Sequence, residues 1–174
     1  QSFGDAGQLF DPFVYLGTLA AVTERITLGV ASLILPLRHP AHVAKAAASV
    51  DVLSGGRLVL GIASGDRPAE YPAMGVDFET RATRFRDSYN YIRSLGQAGG
   101  AVSNTFGEVS GNIELLPRPV ATHLPLLITG SSQQNDAWIA ANADGWMTYP
   151  RPAAAQGAMI ASYRARVAAS GDHD

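Results

Sequence analysis

Two short polar stretches, each directly after an apolar run, are where this sequence could carry out chemistry. The first is residues 130–132, Gly-Ser-Ser, which follows the apolar residues 125–129 and precedes a helical pattern through Trp138. Backbone N–H groups exposed at the start of a helix, together with two hydroxyl groups, suit a phosphate group. The alternative is that Ser132 only caps the helix, and the residues alone leave both interpretations open.

The second polar stretch is residues 64–67, Ser-Gly-Asp-Arg, which follows the apolar residues 58–62. An almost continuous apolar run of this length is typical of a strand buried on both faces. In parallel α/β proteins, the loops beyond the carboxyl ends of strands carry the chemistry. Residues 64–67 are therefore predicted to border a site.

Strand and helix patterns alternate along the chain, which predicts an α/β fold with a parallel sheet. Helices are expected to begin at Asp11-Pro12 and at Pro40, because aspartate caps a helix and proline fits its first position. The helix from Pro40 is expected to end at Gly55-Gly56. Further helices are predicted over 79–95, through Trp138 and over about 153–169, and strands over 26–35, 58–62, 125–130 and 145–149. Residues 1–10 are expected to be loop. Residues 96–122 are an excursion from the sheet, with a short strand at 112–116, inside a single domain over 1–174.

Composition narrows the class of protein. The 174 residues are 47% hydrophobic and 16% charged, which is enough apolar material for one globular core. A formal net charge of -2 argues against nucleic-acid binding, and no apolar run approaches the roughly 18 residues of a membrane span. The lack of cysteine excludes disulfides and thiolate metal sites and is compatible with a cytoplasmic location.

Other site patterns are missing from the sequence. No Gly-x-Gly-x-x-Gly fingerprint follows a strand, and no Gly-x-Ser-x-Gly elbow is present. His39 and His42 have no acidic or histidine ligand set beside them, so no metal site is predicted. His39, next to Pro40, is expected to bond to nearby backbone, with a catalytic role as the alternative.

An ordered series of segments resembles the luciferase-like flavin-dependent monooxygenase family. The main segments are residues 23–29 (Thr-Glu-Arg-Ile-Thr-Leu-Gly), 35–40 (Leu-Pro-Leu-Arg-His-Pro), 53–57 (Leu-Ser-Gly-Gly-Arg), 60–65 (Leu-Gly-Ile-Ala-Ser-Gly), 129–132 (Thr-Gly-Ser-Ser) and 143–146 (Ala-Asp-Gly-Trp). A single piece such as Gly-Gly-Arg is a weak signal, whereas the ordered series is specific and covers nearly the whole chain.

The resemblance implies a partial (β/α)8 TIM barrel. Such barrels typically need about 250 residues, and the strands predicted here correspond to the third to sixth of the family's barrel. The chain is therefore expected to be an internal fragment that is inactive alone. A catalytic histidine that the family often places near the second strand would lie outside it, so the catalytic residues stay unknown.

The resemblance also implies where a flavin is held. Gly130, Ser131 and Ser132 are expected to bind the phosphate of FMN, with a weaker contact from Asn135. Trp146 is expected either at the substrate mouth or in the barrel core.

Two more stretches are assigned to the cofactor by the same resemblance. Ala31 and Ser32 are expected beneath the flavin ring, where some members have a non-prolyl cis peptide bond; ordinary packing of small residues is the alternative. Some relatives carry a basic residue at the position of Ser64, near the phosphate. Arg67 is expected to supply the missing charge, and the alternative for Arg67 is a surface salt bridge.

The function that the resemblance implies is oxidation of a small organic substrate by reduced FMN and dioxygen. A flavin reductase is an expected partner, and a homo-oligomer is the expected assembly. One alternative is an oxidoreductase that transfers hydride with the deazaflavin F420. Another is a non-catalytic barrel relative that binds flavin or is purely structural.

Overall fold

The computed structural model describes residues 9–171, so the loop predicted over 1–10 falls mostly outside it. Helix α1 spans Pro12–Val22 and is capped by Asp11, as predicted, because Oδ1 of Asp11 accepts from the N–H of Phe13 at 2.9 Å. The other carboxylate oxygen accepts from both terminal nitrogens of Arg38 at 3.1 Å. This pair ties the start of α1 to the loop that follows the first strand.

A strand–helix–strand unit follows. Strand β1 spans Leu28–Ile34 and runs into a 3-10 turn at Leu35–Leu37. Helix α2 spans Pro40–Ser54, and strand β2 spans Leu58–Ala63. The helix ends at Gly55, whose φ of 69° is a left-handed conformation that glycine adopts without steric cost. The predicted start at Pro40 and stop at the glycine pair are confirmed.

The long helix in the middle of the chain is preceded by two short turns of helix. These are α3, Glu70–Ala73, and a 3-10 turn at Phe78–Thr80. Helix α4 then spans Arg81–Gly96 and buries an aromatic face that includes Phe85 and Tyr89. The predicted helix over 79–95 is confirmed to within two residues at each end.

The excursion after α4 differs from the prediction. It contains an antiparallel hairpin of β3, Ala101–Asn104, and β4, Gly107–Ser110. Residues 112–116, which were predicted as a short strand, form none. The strand prediction there was wrong because its apolar residues do not alternate across a sheet: Leu115 is buried, whereas Ile113 is 52% exposed.

The last strands and helices complete the alternation. They are β5 at Leu126–Thr129, α5 at Asp136–Asn142, β6 at Gly145–Met147 and α6 at Ala153–Ser170. Strands β1, β2, β5 and β6 form one parallel sheet in that order, and the hairpin is a separate two-stranded sheet. The predicted α/β class with a parallel sheet is confirmed. None of the helices within 9–171 is long and apolar enough to cross a membrane.

One face of the sheet packs against the helices. The residues of β2 and β5 on this face are almost completely buried: Leu58, Leu60, Ile62, Leu126 and Ile128. The residues between them face the other side and are mostly small or half-buried. Because the strands are parallel, this second face ends at one edge where the loops that follow the strands come together.

A half-buried arginine stabilises the opposite edge of the sheet. The guanidinium of Arg57 donates to the main-chain oxygens of Ala20, Thr23 and Ile26 at 2.8–3.3 Å. These carbonyl groups lie at or beyond the end of α1, where a helix leaves acceptors without partners. The Arg in the Gly-Gly-Arg segment is therefore used in the structure as a cap for a neighbouring helix.

Asp144 links β5 and β6 at this same edge of the sheet, opposite the carboxyl ends of the strands. Asp144 accepts from the N–H of Leu126 at 2.6 Å, from Arg93 at 2.5 Å and from His123 Nε2 at 2.9 Å. Burial acts to raise the pKa of Asp144, but the hydrogen bonds from Leu126 and Arg93 outweigh it and hold the pKa below its ordinary value. The carboxylate therefore contributes to stability as long as it is ionised.

Candidate functional site

The two polar stretches singled out in the sequence meet at the carboxyl edge of the sheet. Strand β2 lies between β1 and β5, so the loops after these strands are neighbours. The Oγ of Ser132, in the turn after β5, lies 3.4 Å from the main-chain oxygen of Ile62 in β2. Residues 64–67 and 130–132 are thereby placed side by side.

Strand β1 is irregular next to this edge. A cis peptide bond joins Ala31 and Ser32, so the geometry that the resemblance implied is present. Val30 pairs with Leu60 and Leu33 pairs with Ile62, which leaves Ala31 and Ser32 opposite the single residue 61. Two residues against one are a β-bulge, a feature that redirects the backbone and is common beside active sites.

Only glycine fits opposite the bulge. A Cβ on Gly61 would collide with the main-chain oxygen of Val30 and with Cε of Met147, and would lie 3.2 Å from Cα of Ala31. Gly61 is buried, and the side chain of Met147 covers it, so the absence of a side chain at this position lets Met147 and the bulge of β1 pack closely against β2. Contact of Ala31 and Ser32 with a flavin stays a prediction.

The buried side chain of Tyr71 stabilises the loop after β2 by a hydrogen bond. Ser64 is 4% exposed, and its main-chain oxygen accepts a hydrogen bond from the hydroxyl of the fully buried Tyr71. Burial raises the pKa of Tyr71, which keeps its hydroxyl protonated as a donor. Gly65 follows with a φ of 77°, and a Cβ there would lie 2.8 Å from Ile34. The loop is thus fixed at the site edge, and a contact between Ser64 and a cofactor stays a prediction.

Arg67 forms the surface salt bridge that the sequence left as an alternative. Its side chain is 65% exposed, and its terminal nitrogen lies 3.4 Å from Oε1 of Glu70. No hydrogen bond or ion pair within residues 9–171 joins Arg67 to the 130–133 turn. Exposed pairs of this kind contribute little energy, so the pair can open at small cost. Binding of a phosphate by Arg67 stays a prediction.

The turn after β5 differs from the predicted helix start. Helix α5 begins at Asp136, and its N-cap is Asn135, whose Oδ1 accepts from the N–H of Trp138 at 2.8 Å. Ser131 and Ser132 therefore lie in a separate turn before the helix, and the interpretation of Ser132 as the helix cap was wrong. Since the acceptor oxygen of Asn135 is used in capping, only its NH2 group is left for the cofactor contact that was predicted.

Left-handed backbone explains why no helix begins directly after β5. Gly130, Ser132 and Gln133 have φ values of 59°, 47° and 60°, which an α-helix does not accommodate. The start of the turn is anchored on β6, because the N–H of Gly130 donates to the oxygen of Met147 at 2.9 Å and its oxygen accepts from Trp146 Nε1 at 2.6 Å. The turn is consequently fixed at its first residue.

Two donors of this turn have no partner among the described residues. They are the backbone N–H groups of Ser131 and Ser132, and the exposed Oγ of Ser131 accepts only a 3.3 Å bond from the N–H of Gln133. Backbone N–H groups in turns of this kind form concavities that bind anions. A Cβ built on Gly130 meets nothing within 4 Å, so there is open space beside the turn. A phosphate group fits this donor set.

Gln134 closes the turn and was not singled out by the sequence, because a glutamine within a polar stretch carries no signal of burial. It is 6% exposed and has partners on both sides of its amide. Its Oε1 accepts from Arg86 at 2.7 and 3.0 Å, and its Nε2 donates to the main-chain oxygens of Ala82 and Ser132 at 3.1 and 3.2 Å. The turn is therefore bound to α4 as well as to the sheet.

Two other residues considered in the sequence have structural partners. His39 is the N-cap of α2, since its Nδ1 accepts from the N–H of Ala41 at 3.3 Å, and its Nε2 donates to the oxygen of Phe106 at 3.0 Å. The expected bonding of His39 to nearby backbone is confirmed. The ring of Trp146 packs against Tyr163 of α6, with centroids 5.3 Å apart, which places it between the sheet and the helix layer.

A family model and several known proteins match this sequence. A family model described as luciferase-like monooxygenase matches residues 1–174. An uncharacterised protein of Mycobacterium tuberculosis is 37% identical over 143 residues, which cover 81% of this chain and 50% of that protein. The 4-hydroxyprotoasukamycin monooxygenase of Streptomyces nodosus is 31% identical over 128 residues, 72% of this chain and 34% of that protein. The chain thus spans half the length, or less, of these two relatives.

Solved structures show the same fold. The monooxygenase RslO1 from Streptomyces bottropensis has a TM-score of 0.83 at 24% identity, over 94% of this chain and 51% of its own. An F420-dependent secondary alcohol dehydrogenase, solved with an F420-acetone adduct, has a TM-score of 0.79 at 17% identity. The match covers 98% of this chain and 53% of the dehydrogenase. A type II Baeyer-Villiger monooxygenase of Pseudomonas putida, solved with FMN, has a TM-score of 0.77 at 16% identity. The match covers 94% of this chain and 49% of that monooxygenase.

These likenesses agree with the four parallel strands and their connecting helices, which form part of a (β/α)8 barrel. A shared fold alone does not establish the family. The family is established by the family model, which matches the whole chain, and is supported by the 37% identity to the mycobacterial protein. This chain belongs to the luciferase-like monooxygenase family.

Proposed function

We propose that this chain forms part of a flavin-dependent monooxygenase that uses reduced FMN and dioxygen to oxidise a small organic substrate. The observation that carries the proposal is the 130–133 turn, whose unpartnered N–H groups lie beside the carboxyl end of β2. A phosphate bound there would leave the attached ring on the side of the bulge in β1 at Ala31 and Ser32, which lies next to β2. The contact of Ser132 with Ile62 brings the turn next to β2.

In this proposal the chain binds and orients the cofactor, and FMN supplies the reactivity toward dioxygen when it is bound and reduced. The N–H groups of Ser131 and Ser132 and the hydroxyl of Ser131 would hold the phosphate. Ala31 and Ser32 would support the ring through the bulge opposite Gly61. Ser64 and Arg67 would border the phosphate from the neighbouring loop, and Asn135 would add a weaker contact through its NH2 group.

A groove beside Ser32 follows β1, the edge strand of the described sheet, and the part of it that further barrel strands would leave open suits a small and largely apolar substrate. Its volume is about 670 Å³, and most of its lining comes from apolar side chains of α1 and β1, including Leu16 and Leu33. Ligand sites for small molecules commonly fall in the range of about 300–1,000 Å³ with a mainly apolar lining. Arg38 and Glu70 stand at its rim as charged groups that could orient a polar end of the substrate.

The second candidate function is hydride transfer with F420. It is favoured by the likeness to the F420-dependent secondary alcohol dehydrogenase, whose TM-score of 0.79 lies close to those of the monooxygenases. The donor set of the 130–133 turn suits a phosphate of either cofactor, so the turn does not separate them. Oxygen consumption separates the two candidate functions, because hydride transfer with F420 does not consume dioxygen.

The assembly is part of the proposal as well. A separate flavin reductase would supply the reduced cofactor, and the protein would act in the cytoplasm as a homo-oligomer. Within residues 9–171, β1 and β6 each pair with only one other strand. Because unpaired sheet edges associate readily, the 174-residue chain alone is expected to self-associate and to be inactive.

The test uses protein expressed from the complete open reading frame and purified from its native source. A yellow flavin spectrum, release of FMN on denaturation and oxygen consumption with reduced FMN are expected. Release of F420 and no oxygen consumption would favour hydride transfer instead. Protein that carries and binds neither cofactor would contradict both candidates and would favour the non-catalytic alternative.

A further inference from the structure

We infer that Gln134 is a positioning residue whose buried amide holds the 130–133 turn in the shape that binds a phosphate group, and that Arg86 sets the orientation of this amide. The inference rests on the proposed function, since it concerns the phosphate of FMN. It adds two residues that do not touch the phosphate themselves.

The orientation of the Gln134 amide follows from the chemistry of its partners. Arginine has only donors, so the oxygen of the amide must face Arg86, at 2.7 and 3.0 Å from two of its nitrogens. The NH2 group then faces two acceptors, the main-chain oxygens of Ala82 and Ser132, at 3.1 and 3.2 Å. All four contacts are satisfied in this orientation, and a flipped amide would satisfy none of them.

The hydrogen bond to Ser132 acts where the backbone needs support. Ser132 and Gln133 have left-handed φ values of 47° and 60°, which are unfavourable for residues with a Cβ. The Nε2 of Gln134 holds the carbonyl group of Ser132, which belongs to the peptide unit between these two residues. The other end of this peptide unit is the N–H of Gln133, which donates to Oγ of Ser131 at 3.3 Å. Loss of the bond from Gln134 would let the unit rotate, and the hydroxyl of Ser131, which is proposed to bind the phosphate, would lose the contact that positions it.

The cluster also sets the position of the turn relative to the helix layer. Ala82 and Arg86 both belong to α4, and the guanidinium of Arg86 lies 5.6 Å from the ring centroid of Trp138 in α5. Gln134 therefore connects the turn to two helices in addition to the sheet contacts of Ser132. Movement of the turn by a fraction of an ångström would lengthen every hydrogen bond to the phosphate.

The expected consequence is specific to the phosphate. FMN and riboflavin share the ring and the ribityl chain, and only FMN carries the phosphate group. A residue that positions the phosphate-binding turn should affect FMN and leave riboflavin almost unchanged. A residue that only stabilises the fold should affect both ligands equally.

The test measures the dissociation constants of FMN and riboflavin in Gln134→Met, in protein expressed from the complete open reading frame. This replacement keeps the length of the side chain and removes its polar atoms. We expect FMN to bind about tenfold more weakly, as for a lost hydrogen-bonding arrangement toward a charged group, and riboflavin to change less than about twofold. Gln97→Met, the same replacement at an exposed glutamine after α4, is the matched control and should change neither constant.

Arg86→Met tests the same inference through a partner that does not contact the turn. It should raise the dissociation constant of FMN about threefold without changing that of riboflavin. In the double variant it should add little to the effect of Gln134→Met, because the effects of residues in one network are not additive. If Gln134→Met does not fold, this variant carries the test. Equal losses for both ligands, or no loss of FMN, would overturn the inference. Wild-type protein that binds riboflavin as tightly as FMN would overturn the assignment of the phosphate, and the inference with it.

Discussion

The Oγ of Ser132 lies 3.4 Å from the main-chain oxygen of Ile62, so the turn after β5 is joined to the neighbouring strand as well as to its own. The same hydroxyl donates to the oxygen of Thr129 at 2.9 Å, and Ser132 is 5% exposed. Its neighbour Ser131 is exposed and accepts only one bond within the turn. The two adjacent serines therefore have different expected roles: the hydroxyl of Ser132 serves the structure, and that of Ser131 is available to a ligand.

Single alanine replacements should separate these roles. Ser131→Ala should weaken FMN binding by about 1–2 kcal/mol, because a hydrogen bond to a charged group is lost, and leave the free energy of unfolding unchanged. Ser132→Ala should lower the free energy of unfolding by about 1 kcal/mol, because its hydroxyl no longer donates to the main-chain oxygen of Thr129. Fluorescence titration with FMN and urea denaturation measure the two effects. The opposite distribution would show that the serine roles are exchanged.

Gly61 should tolerate no side chain. Gly61→Ala places a methyl group against the main-chain oxygen of Val30 and the Cε of Met147. Met147 can move but the backbone of β1 cannot move freely, so a loss of about 1–3 kcal/mol in the free energy of unfolding is expected. It should also weaken FMN and riboflavin together, because the surface under the ring changes.

A matched control for this change is Gly157→Ala in α6. A Cβ at Gly157 meets nothing within 4 Å, and alanine favours a helix over glycine, so a gain of up to about 1 kcal/mol is expected. Loss at Gly157 and none at Gly61 would contradict the steric account of the bulge.

The sequence predicts most of the fold because its signals are local. Asp11 before Pro12, Pro40 and the glycine pair at 55–56 mark helix ends through chemistry that acts within one turn. The hairpin at 101–110 was missed because its residues are mostly polar and exposed, and its pairing comes from contacts with α4 rather than from an apolar pattern.

Only the part of the site that has a local signal could be predicted from the sequence. The Gly-Ser-Ser segment is visible in the sequence, whereas its left-handed backbone and the burial of Gln134 are not. The buried amide of Gln134 is bound by Arg86, which is 48 residues away along the chain. Long-range partners of this kind leave no trace in local composition.

Asp144 should make stability depend on pH in the acid range. Its pKa in the folded protein lies below that of an unfolded aspartate, so its contribution is complete above the unfolded value of about 4. This contribution is lost as the pH falls through the lower folded-state pKa. Asp144→Asn should therefore cost about 1–3 kcal/mol at pH 7, and the difference from wild type should shrink below about pH 4.

Urea denaturation at several pH values measures this difference. Asp66→Asn is the control at an exposed position and should stay within about 0.5 kcal/mol of wild type at each pH. A difference between Asp144→Asn and wild type that grows as the pH falls would contradict the assigned direction of the pKa shift.

Arg67 provides a test of the neighbouring loop. If it leaves Glu70 to bind the phosphate, Arg67→Ala should weaken FMN about three- to tenfold and riboflavin less than twofold, as for one exposed charge contact. Glu70→Ala, which frees the guanidinium, should strengthen FMN slightly. Equal effects of Arg67→Ala on both ligands would show that the side chain has no role toward the phosphate.

The central claim is that the 130–133 turn binds the phosphate of FMN, and hydrogen–deuterium exchange at its amides tests this most directly. Exchange is compared in the presence of saturating FMN and of saturating riboflavin, in protein expressed from the complete open reading frame. We expect FMN, and not riboflavin, to slow exchange at the N–H groups of Ser131 and Ser132, which have no acceptor among the described residues. Unchanged exchange at these two amides with FMN bound, and protection by FMN at another loop, would contradict the claim.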